Sequence, residues 1–173
     1  MKAFANRNAG SLPEAVALAR EAREAGRSVS FAAGGTDLLQ LVKDRVPNRP
    51  GAGTPDVLVN LKSVPGLGAI APAGQDGLGV GGLVTLTALS EHQLVLSRFP
   101  ALAEAARSVA TPQIRNVGTV AGNIVQRPWC WYYRNGFPCY KAVGDRCFSV
   151  AGENQLHAIL GGGPSYIVHP SDL

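Results

Sequence analysis

Residues 31–43, FAAGGTDLLQLVK, place two consecutive glycines between an apolar run and a stretch with helical periodicity. A strand that enters a helix through such a turn leaves backbone N–H groups free at the helix N-terminus, where the helix dipole favours an anion such as phosphate. Gly34 and Gly35 would let a ligand approach the backbone, and Thr36 would supply a hydroxyl and cap the helix. A tight turn that binds nothing explains the same residues, so both interpretations stay open.

The segments around this turn predict an α/β fold. Residues 11–26, SLPEAVALAREAREAG, carry the capping pair Ser11 and Glu14, and Gly26 suits the C-terminal cap. Strands are expected at 2–5, 28–31 and 57–61, and a second helix at 37–45. This order of strands and helices favours a parallel pair of strands. The predicted apolar stripe of the first helix comprises Leu12, Ala15, Val16, Leu18 and Ala19.

The second half of the chain predicts a hairpin, two helices and another glycine loop. Short strands are expected at 66–70 and 77–80, and helices at 85–96 and 101–110. The stretch TPQIRNVGTVAGNIV, residues 111–125, is glycine-rich and β-branched, which predicts loop and short strand. Two small-residue loops in one domain suit an extended ligand with a diphosphate and a flat ring system.

Composition and missing motifs exclude several functions. The net charge is +4, but the basic residues are scattered, which argues against a nucleic-acid surface. The chain contains neither G-x-x-x-x-G-K-[ST] nor G-x-G-x-x-G at the turn, so a Walker loop and a Rossmann fingerprint are excluded. No apolar run approaches the ~18 residues of a membrane helix, and the first residues lack a secretory h-region. A cytoplasmic location is expected, or a periplasmic one if a partner carries the export signal.

Five motifs occur in an order that resembles the FAD-binding subunit of the molybdenum hydroxylases, which include xanthine dehydrogenase, aldehyde oxidoreductase and carbon monoxide dehydrogenase. The motifs are AAGGTDLLQLVK, VLVNLKSVPGL, GVGGLVTLTAL, TPQIRNVGTVAGNI and HPSDL. The resemblance implies a vanillyl-alcohol-oxidase (PCMH-type) FAD-binding fold. In that fold a small parallel-sheet subdomain packs against a larger mixed-sheet subdomain, and FAD lies between them.

The resemblance also implies which residues bind the cofactor. The first pyrophosphate loop would comprise Ala32, Ala33, Gly34, Gly35, Thr36 and Asp37. The second FAD loop would comprise Gly118, Thr119, Val120, Ala121, Gly122 and Asn123. Asp172 matches an aspartate that contacts the cofactor in relatives, although from the residues alone it serves equally well as a helix N-cap.

All three cysteines, Cys130, Cys139 and Cys147, lie in one segment, residues 126–168. A disulfide framework is not expected from them in a cytoplasmic chain. Buried thiols packed among aromatic side chains are one interpretation, and zinc is a weaker one because paired C-x2-C spacing is absent. Thiolates in a loop beside a flavin suit an iron–sulfur cluster better, and an aromatic shell would limit solvent access.

The cysteine segment further resembles an insert found in the aldehyde oxidoreductase and 4-hydroxybenzoyl-CoA reductase flavin subunits. That resemblance implies a [4Fe–4S] cluster bound by the three cysteines. A cubane takes four ligands, so the fourth would be Ser165, His157, His169 or an external group; a three-iron, labile or lost cluster is the remaining alternative. The stretches CWYYRNGFPCYK and GENQLHAILGGGPSYIVHPSD are most similar to the aldehyde oxidoreductase type.

The resemblance implies an oxidoreductase subunit that passes electrons from iron–sulfur centres to FAD and on to an acceptor. Its partners would be a large molybdopterin-binding subunit, on which the organic substrate is oxidised, and a small [2Fe–2S] subunit. Residues 1–55 would form the small FAD-binding subdomain, and residues 56–173 an incomplete second one with the insert at 126–168. The motif HPSDL lies mid-subunit in the family, so an N-terminal part is expected. The alternative is a non-catalytic interaction module that binds neither FAD nor a cluster, and a third class is a zinc-stabilised scaffold.

Overall fold

A three-stranded parallel sheet organises the N-terminal part of the chain. The computed structural model describes residues 3–46, 54–160, 163–167 and 171–173. The strands lie in the order β1 (Ala5–Asn8), β3 (Val57–Asn60) and β2 (Val29–Ala32), all parallel. The predicted parallel pairing is confirmed. β1 begins later than predicted because its backbone pairs with β3 from Ala5 onward, and the expected start at residue 2 lies outside the described residues.

The first helix, α1 (Leu12–Glu24), packs against this sheet through alanines. Ser11 caps it by accepting the Glu14 N–H, and the Glu14 carboxylate accepts the Gly10 N–H, so the predicted cap forms. The predicted apolar stripe is wrong for Leu12 and Val16, which are more than half exposed. The small alanine side chains let α1 approach β3 closely. The face of α1 that packs on the sheet is therefore the alanine face, and Leu12 and Val16 lie outside it. Those alanines are Ala15, Ala19 and Ala22.

The second half contains the predicted hairpin and a set of short helices. α2 (Thr36–Lys43) follows the first glycine turn, and β4 (Ile70–Ala73) pairs antiparallel with β5 (Gly77–Val80). The hairpin is confirmed, but its first strand begins at Ile70 rather than at residue 66. The predicted helix 85–96 divides at His92, whose backbone is extended, into α3 (Leu86–Glu91) and α4 (Gln93–Arg98). α5 (Pro100–Ser108) follows, in place of the expected helix at 101–110.

The stretch predicted as loop and strand is largely helical. It contains α6 (Pro112–Arg115) and α7 (Val120–Ile124), each a single turn or little more. Thr111 and Thr119 cap these helices by accepting N–H groups from Ile114 and Gly122. Side-chain capping therefore outweighs the β-branched composition. Among the helices of the described residues, none is long and apolar enough to cross a membrane.

The cysteine segment folds onto α2. It contains α8 (Trp131–Arg134) and two short 3-10 turns at Tyr140–Ala142 and Phe148–Val150. Its buried residues form one cluster with side chains of the N-terminal part, which ties the segment to the parallel-sheet layer. The members of that cluster are Leu41, Val46, Cys130, Tyr132, Tyr133 and Cys139.

Candidate FAD and cysteine sites

The two glycine loops touch each other directly. A Cβ on Gly34 would overlap the carbonyl of Val117 and would lie 3.2 Å from the Cα of Gly118. Gly34 therefore faces the second loop, and its missing side chain is required by the protein's own packing. The sequence analysis attributed the missing side chain to the approach of a ligand, and the structure shows that contact between the loops also requires it.

The first turn leads into α2 through a left-handed residue. Gly35 has φ +79° and occupies the N-cap position, where no side chain caps the helix. Thr36 is the first helical residue, so the predicted cap by its hydroxyl is wrong. Gly35 supplies a backbone conformation that a Cβ disfavours. The Thr36 side chain lines the clefts beside the turn.

Two clefts flank the contact between the loops. One runs along the carboxyl side of β2 and the first turn, and it includes Ala33, Gly34, Gly35, Ala121 and Gly122. The other includes Gly118, Asn123, Gln126, Trp129 and Asp172. Thr36, Asp37 and Thr119 line both clefts. Nearly all of the predicted cofactor residues therefore lie around one junction.

Two predicted cofactor residues lie elsewhere. Ala32 is the last residue of β2 and pairs with Asn60. Val120 packs against the apolar cluster beneath the hairpin and α3. Both support the shape of the loops, and neither lines the two clefts.

The carboxylate of Asp172 is held by side-chain amides. It accepts hydrogen bonds from Asn123 Nδ2 at 3.3 Å and from Gln126 Nε2 at 3.0 Å. The side-chain oxygen of Asn123, Oδ1, in turn accepts hydrogen bonds from the Asp172 N–H and the Ser171 hydroxyl. These contacts place the Asp172 carboxylate beside the second loop, and its assignment as a cofactor contact stays a prediction.

Asp37 connects the first turn to the cysteine segment. Its Oδ1 accepts from Arg134 Nη2 at 2.9 Å, and its Oδ2 accepts the Arg127 N–H at 2.9 Å. The Asp37 side chain is 17% exposed and the Arg134 side chain is 10% exposed. Arg134 also stacks on Trp129, with Cζ 3.7 Å from the ring centroid. Sequence reasoning missed Arg134, because its partner lies 97 residues away and no local pattern signals the pair.

The three cysteines line one narrow cavity together with Ser165. Cys130 and Cys139 are buried, and Cys147 is partly exposed. Aromatic rings surround the cavity, and the ring centroids of the stacked Tyr132 and Phe148 are 6.0 Å apart. Within the described residues, no group of three or more His, Cys, Asp or Glu side chains is arranged to hold a metal ion.

The candidates for a fourth ligand differ in position. Ser165 lines the cavity and donates to the Ile167 carbonyl at 3.5 Å. His157 does not line the cavity, although its Nε2 is 3.3 Å from the Cys130 sulfur. His169 lies outside the described residues.

The surroundings of Cys147 change the ionisation of its thiol. Partial burial raises the pKa of its thiol, but hydrogen bonds from the Ser149 hydroxyl and from the backbone of Tyr166 and Ser149 outweigh that effect. The pKa therefore lies below its ordinary value. The Ser149 oxygen is 3.0 Å from the Cys147 sulfur.

Comparison with known proteins defines the family. Residues 3–142 match the family described as the FAD binding domain in molybdopterin dehydrogenase, and the chain belongs to this family. The whole chain is 34% identical to 52% of the aldehyde oxidoreductase FAD-binding subunit PaoB of Escherichia coli (strain K12). About half of it, 53%, is 39% identical to 30% of the xanthine dehydrogenase FAD-binding subunit of Escherichia coli O157:H7. The chain thus spans about half, or less, of the length of these relatives.

Solved structures agree with this assignment. The chain superposes on carbon monoxide dehydrogenase from Hydrogenophaga pseudoflava with a TM-score of 0.62 and 32% identity, covering 71% of this chain and 39% of that one. Quinoline 2-oxidoreductase from Pseudomonas putida 86 gives a TM-score of 0.61 at 29% identity, with coverage of 72% and 40%. The predicted PCMH-type FAD-binding fold is confirmed, and the chain belongs to the FAD-binding family of the molybdenum hydroxylases.

The contact between the loops predicts the effect of a single methyl group. We expect Gly34→Ala to lower the free energy of unfolding by about 1–3 kcal/mol, because a backbone carbonyl blocks the new Cβ. Gly68→Ala is the matched control, since nothing lies within 4 Å of its added Cβ, and its effect should stay within about 0.5 kcal/mol. Urea unfolding without ligand measures both. Equal stability of the two variants would contradict the loop contact.

The environment of Cys147 predicts its reactivity. Its thiol should be alkylated by iodoacetamide at a lower pH than an unperturbed cysteine, because the thiolate is the nucleophile and its pKa is lowered. Ser149→Ala should move the midpoint of the alkylation profile to higher pH. Ser165→Ala is the control, because that hydroxyl donates to Ile167 instead. Mass spectrometry of the Cys147 peptide across pH gives the profiles, and identical midpoints in wild type and Ser149→Ala would refute the assignment.

Proposed function

We propose that this chain binds FAD at the junction of its two glycine loops and serves electron transfer within a molybdenum hydroxylase. The observation that carries the proposal is the convergence of eleven of the thirteen predicted cofactor residues on two clefts that share Thr36, Asp37 and Thr119. Backbone N–H donors at a helix N-terminus suit a diphosphate, and the turn before α2 offers them. Bound FAD would supply the redox chemistry.

The residues of this chain would bind and orient the cofactor. The turn at Gly34 and Gly35 would receive the diphosphate. Asn123 and Gln126 would keep the Asp172 carboxylate fixed against the second loop, where it can accept a hydrogen bond from the cofactor. No side chain of the clefts is assigned to acid–base catalysis, since the electron transfer depends on the position of the cofactor and on exclusion of water.

We also propose that the cysteine cavity holds a [4Fe–4S] cluster. Thiolate is the ligand that such clusters require, and three thiols with Ser165 line the same cavity. Cys130, Cys139 and Cys147 would hold the cluster and Ser165 would complete the set; the proposal rests on the cavity that they share, since no group of three or more His, Cys, Asp or Glu side chains in the described residues is arranged to hold a metal ion. We assign the position of the fourth cluster ligand to Ser165 rather than to His157, because Ser165 lines the cavity and His157 does not.

The proposed partners are a large molybdopterin-binding subunit and a small [2Fe–2S] subunit. Large apolar side chains of the cysteine segment lie in solvent, which suits contact with another protein surface. They are Trp129, Trp131, Leu156, Ile159 and Leu160. The same proposal includes three further points. The organic substrate would be oxidised on the large partner subunit, the protein would be cytoplasmic, and the boundary between the two subdomains would lie near residue 55.

The FAD site predicts the effect of removing one hydroxyl. Thr36→Val keeps the shape of the side chain and loses a donor in both clefts. A hydrogen bond to a charged group contributes about 1.5–3 kcal/mol, so the Kd for FAD should rise about tenfold or more. Ser97→Ala, which lines neither cleft, is the control. Quenching of flavin fluorescence gives both affinities, and equal Kd values for Thr36→Val and wild type would count against FAD at the junction.

The cluster predicts how iron content responds to one substitution. Protein purified without oxygen should hold about four iron atoms per chain if the cubane forms, and it should lose iron in air. Ser165→Cys should retain more iron, because sulfur is a softer ligand than the serine oxygen. Iron, zinc and sulfide analysis with electron paramagnetic resonance after dithionite reduction measures this. Background iron in both proteins after reconstitution would end the cluster proposal, and stoichiometric zinc would favour the scaffold.

A further inference from the structure

We propose that Arg134 is a positioning residue for the first glycine turn, so that the cysteine segment sets the affinity of this turn for a diphosphate. The inference rests on the proposed binding of FAD at the turn. It adds a residue that lies outside both glycine loops. It also gives the cysteine segment a role at the flavin site that does not require any metal in its cavity.

The guanidinium of Arg134 is fixed from several sides. Nη2 donates to Asp37 Oδ1 at 2.9 Å and to the Arg127 carbonyl at 3.1 Å. Nε donates to the Pro128 carbonyl at 3.0 Å, and the indole of Trp129 covers one face at 3.7 Å. Planar guanidinium groups form such forked and stacked contacts, which an ammonium group cannot reproduce. The orientation of Arg134, and with it that of Asp37, is therefore determined by the cysteine segment.

The contact between Arg134 and Asp37 affects an anionic ligand because Asp37 carries a negative charge. Asp37 lies in the first turn of α2 and lines both clefts beside the proposed diphosphate position. An unpaired carboxylate there would repel a diphosphate at short range, and its side chain is too buried for water to screen the charge well. Arg134 neutralises this carboxylate and draws it toward the cysteine segment. The positive end of α2 is thereby left for the ligand.

One helical turn joins the two sites. Cys130 is the N-cap of α8 and Arg134 is its last residue, with the Arg134 N–H donating to the Cys130 carbonyl at 3.0 Å. A displacement of Cys130 in its cavity therefore moves Arg134 and the carboxylate that it holds. Binding in the cysteine cavity and binding at the turn should consequently be coupled, and such coupling is reciprocal.

A set of variants in the full chain tests the proposal by FAD titration. We expect Arg134→Met to raise the Kd for FAD about tenfold or more, and Arg134→Lys to raise it about threefold, since the ammonium keeps the charge and loses the fork. Arg146→Met is the matched control. Arg146 lies in the same segment and pairs with Asp145, but both side chains are mostly exposed, so its Kd should match wild type.

A double variant separates electrostatic positioning from loss of packing. Asp37→Asn combined with Arg134→Met should recover most of the lost affinity, because no buried carboxylate is left unpaired. If Arg134 acted only through packing, the double variant would bind as weakly as Arg134→Met. That result would overturn the inference.

The remaining outcomes distinguish this inference from the proposed function. A wild-type chain that fails to bind FAD overturns both. A wild-type chain that binds FAD, with a folded Arg134→Met that binds equally well, overturns only the role of Arg134. Circular dichroism reports folding, and if Arg134→Met does not fold, Arg134→Lys decides the question, since unchanged affinity in that variant contradicts the proposal.

Discussion

The close approach of Gly34 to the carbonyl of Val117 is the constraint on which the arrangement of the site depends. It brings the turn before α2 against the loop before α7, although the two are far apart in sequence. Any side chain at residue 34 would separate the loops and open the junction that Thr36, Asp37 and Thr119 share. Gly34 therefore permits the contact between the loops, and Gly35 supplies the left-handed residue that leads into α2.

The cysteine segment belongs to this junction as well as to its own cavity. Its buried tyrosines and cysteines share a core with Leu41 of α2, and Arg134 holds Asp37 at the other end of the same helix. Binding a cluster would not by itself require the ion pair between Arg134 and Asp37, which links this segment to the first glycine turn. The observed contacts join the proposed flavin junction and the cysteine cavity in one packed unit through α2 and α8.

Short sequence patterns predicted those features of the fold that depend on neighbouring residues. The Ser11 cap, the parallel strands and the hairpin follow from short-range signals, and the motif order led to the FAD-binding fold. Three features escaped prediction for physical reasons. The short helices at 111–125 depend on threonine caps that composition does not reveal, Leu12 and Val16 are exposed because alanines allow closer packing, and the pair of Arg134 with Asp37 spans 97 residues. Of the thirteen cofactor residues predicted from motifs, eleven line the two clefts at the junction.

Hydrogen–deuterium exchange of the full chain with and without FAD tests the central claim most directly. Backbone N–H groups that receive a diphosphate, and loops clamped on either side of it, exchange more slowly when the ligand is bound. The account predicts that protection appears together at residues 33–37 and 118–123 on addition of FAD, with smaller protection at 127–134 through the Asp37 pair. Protection confined to one loop, or located away from both, would contradict a flavin site at their junction.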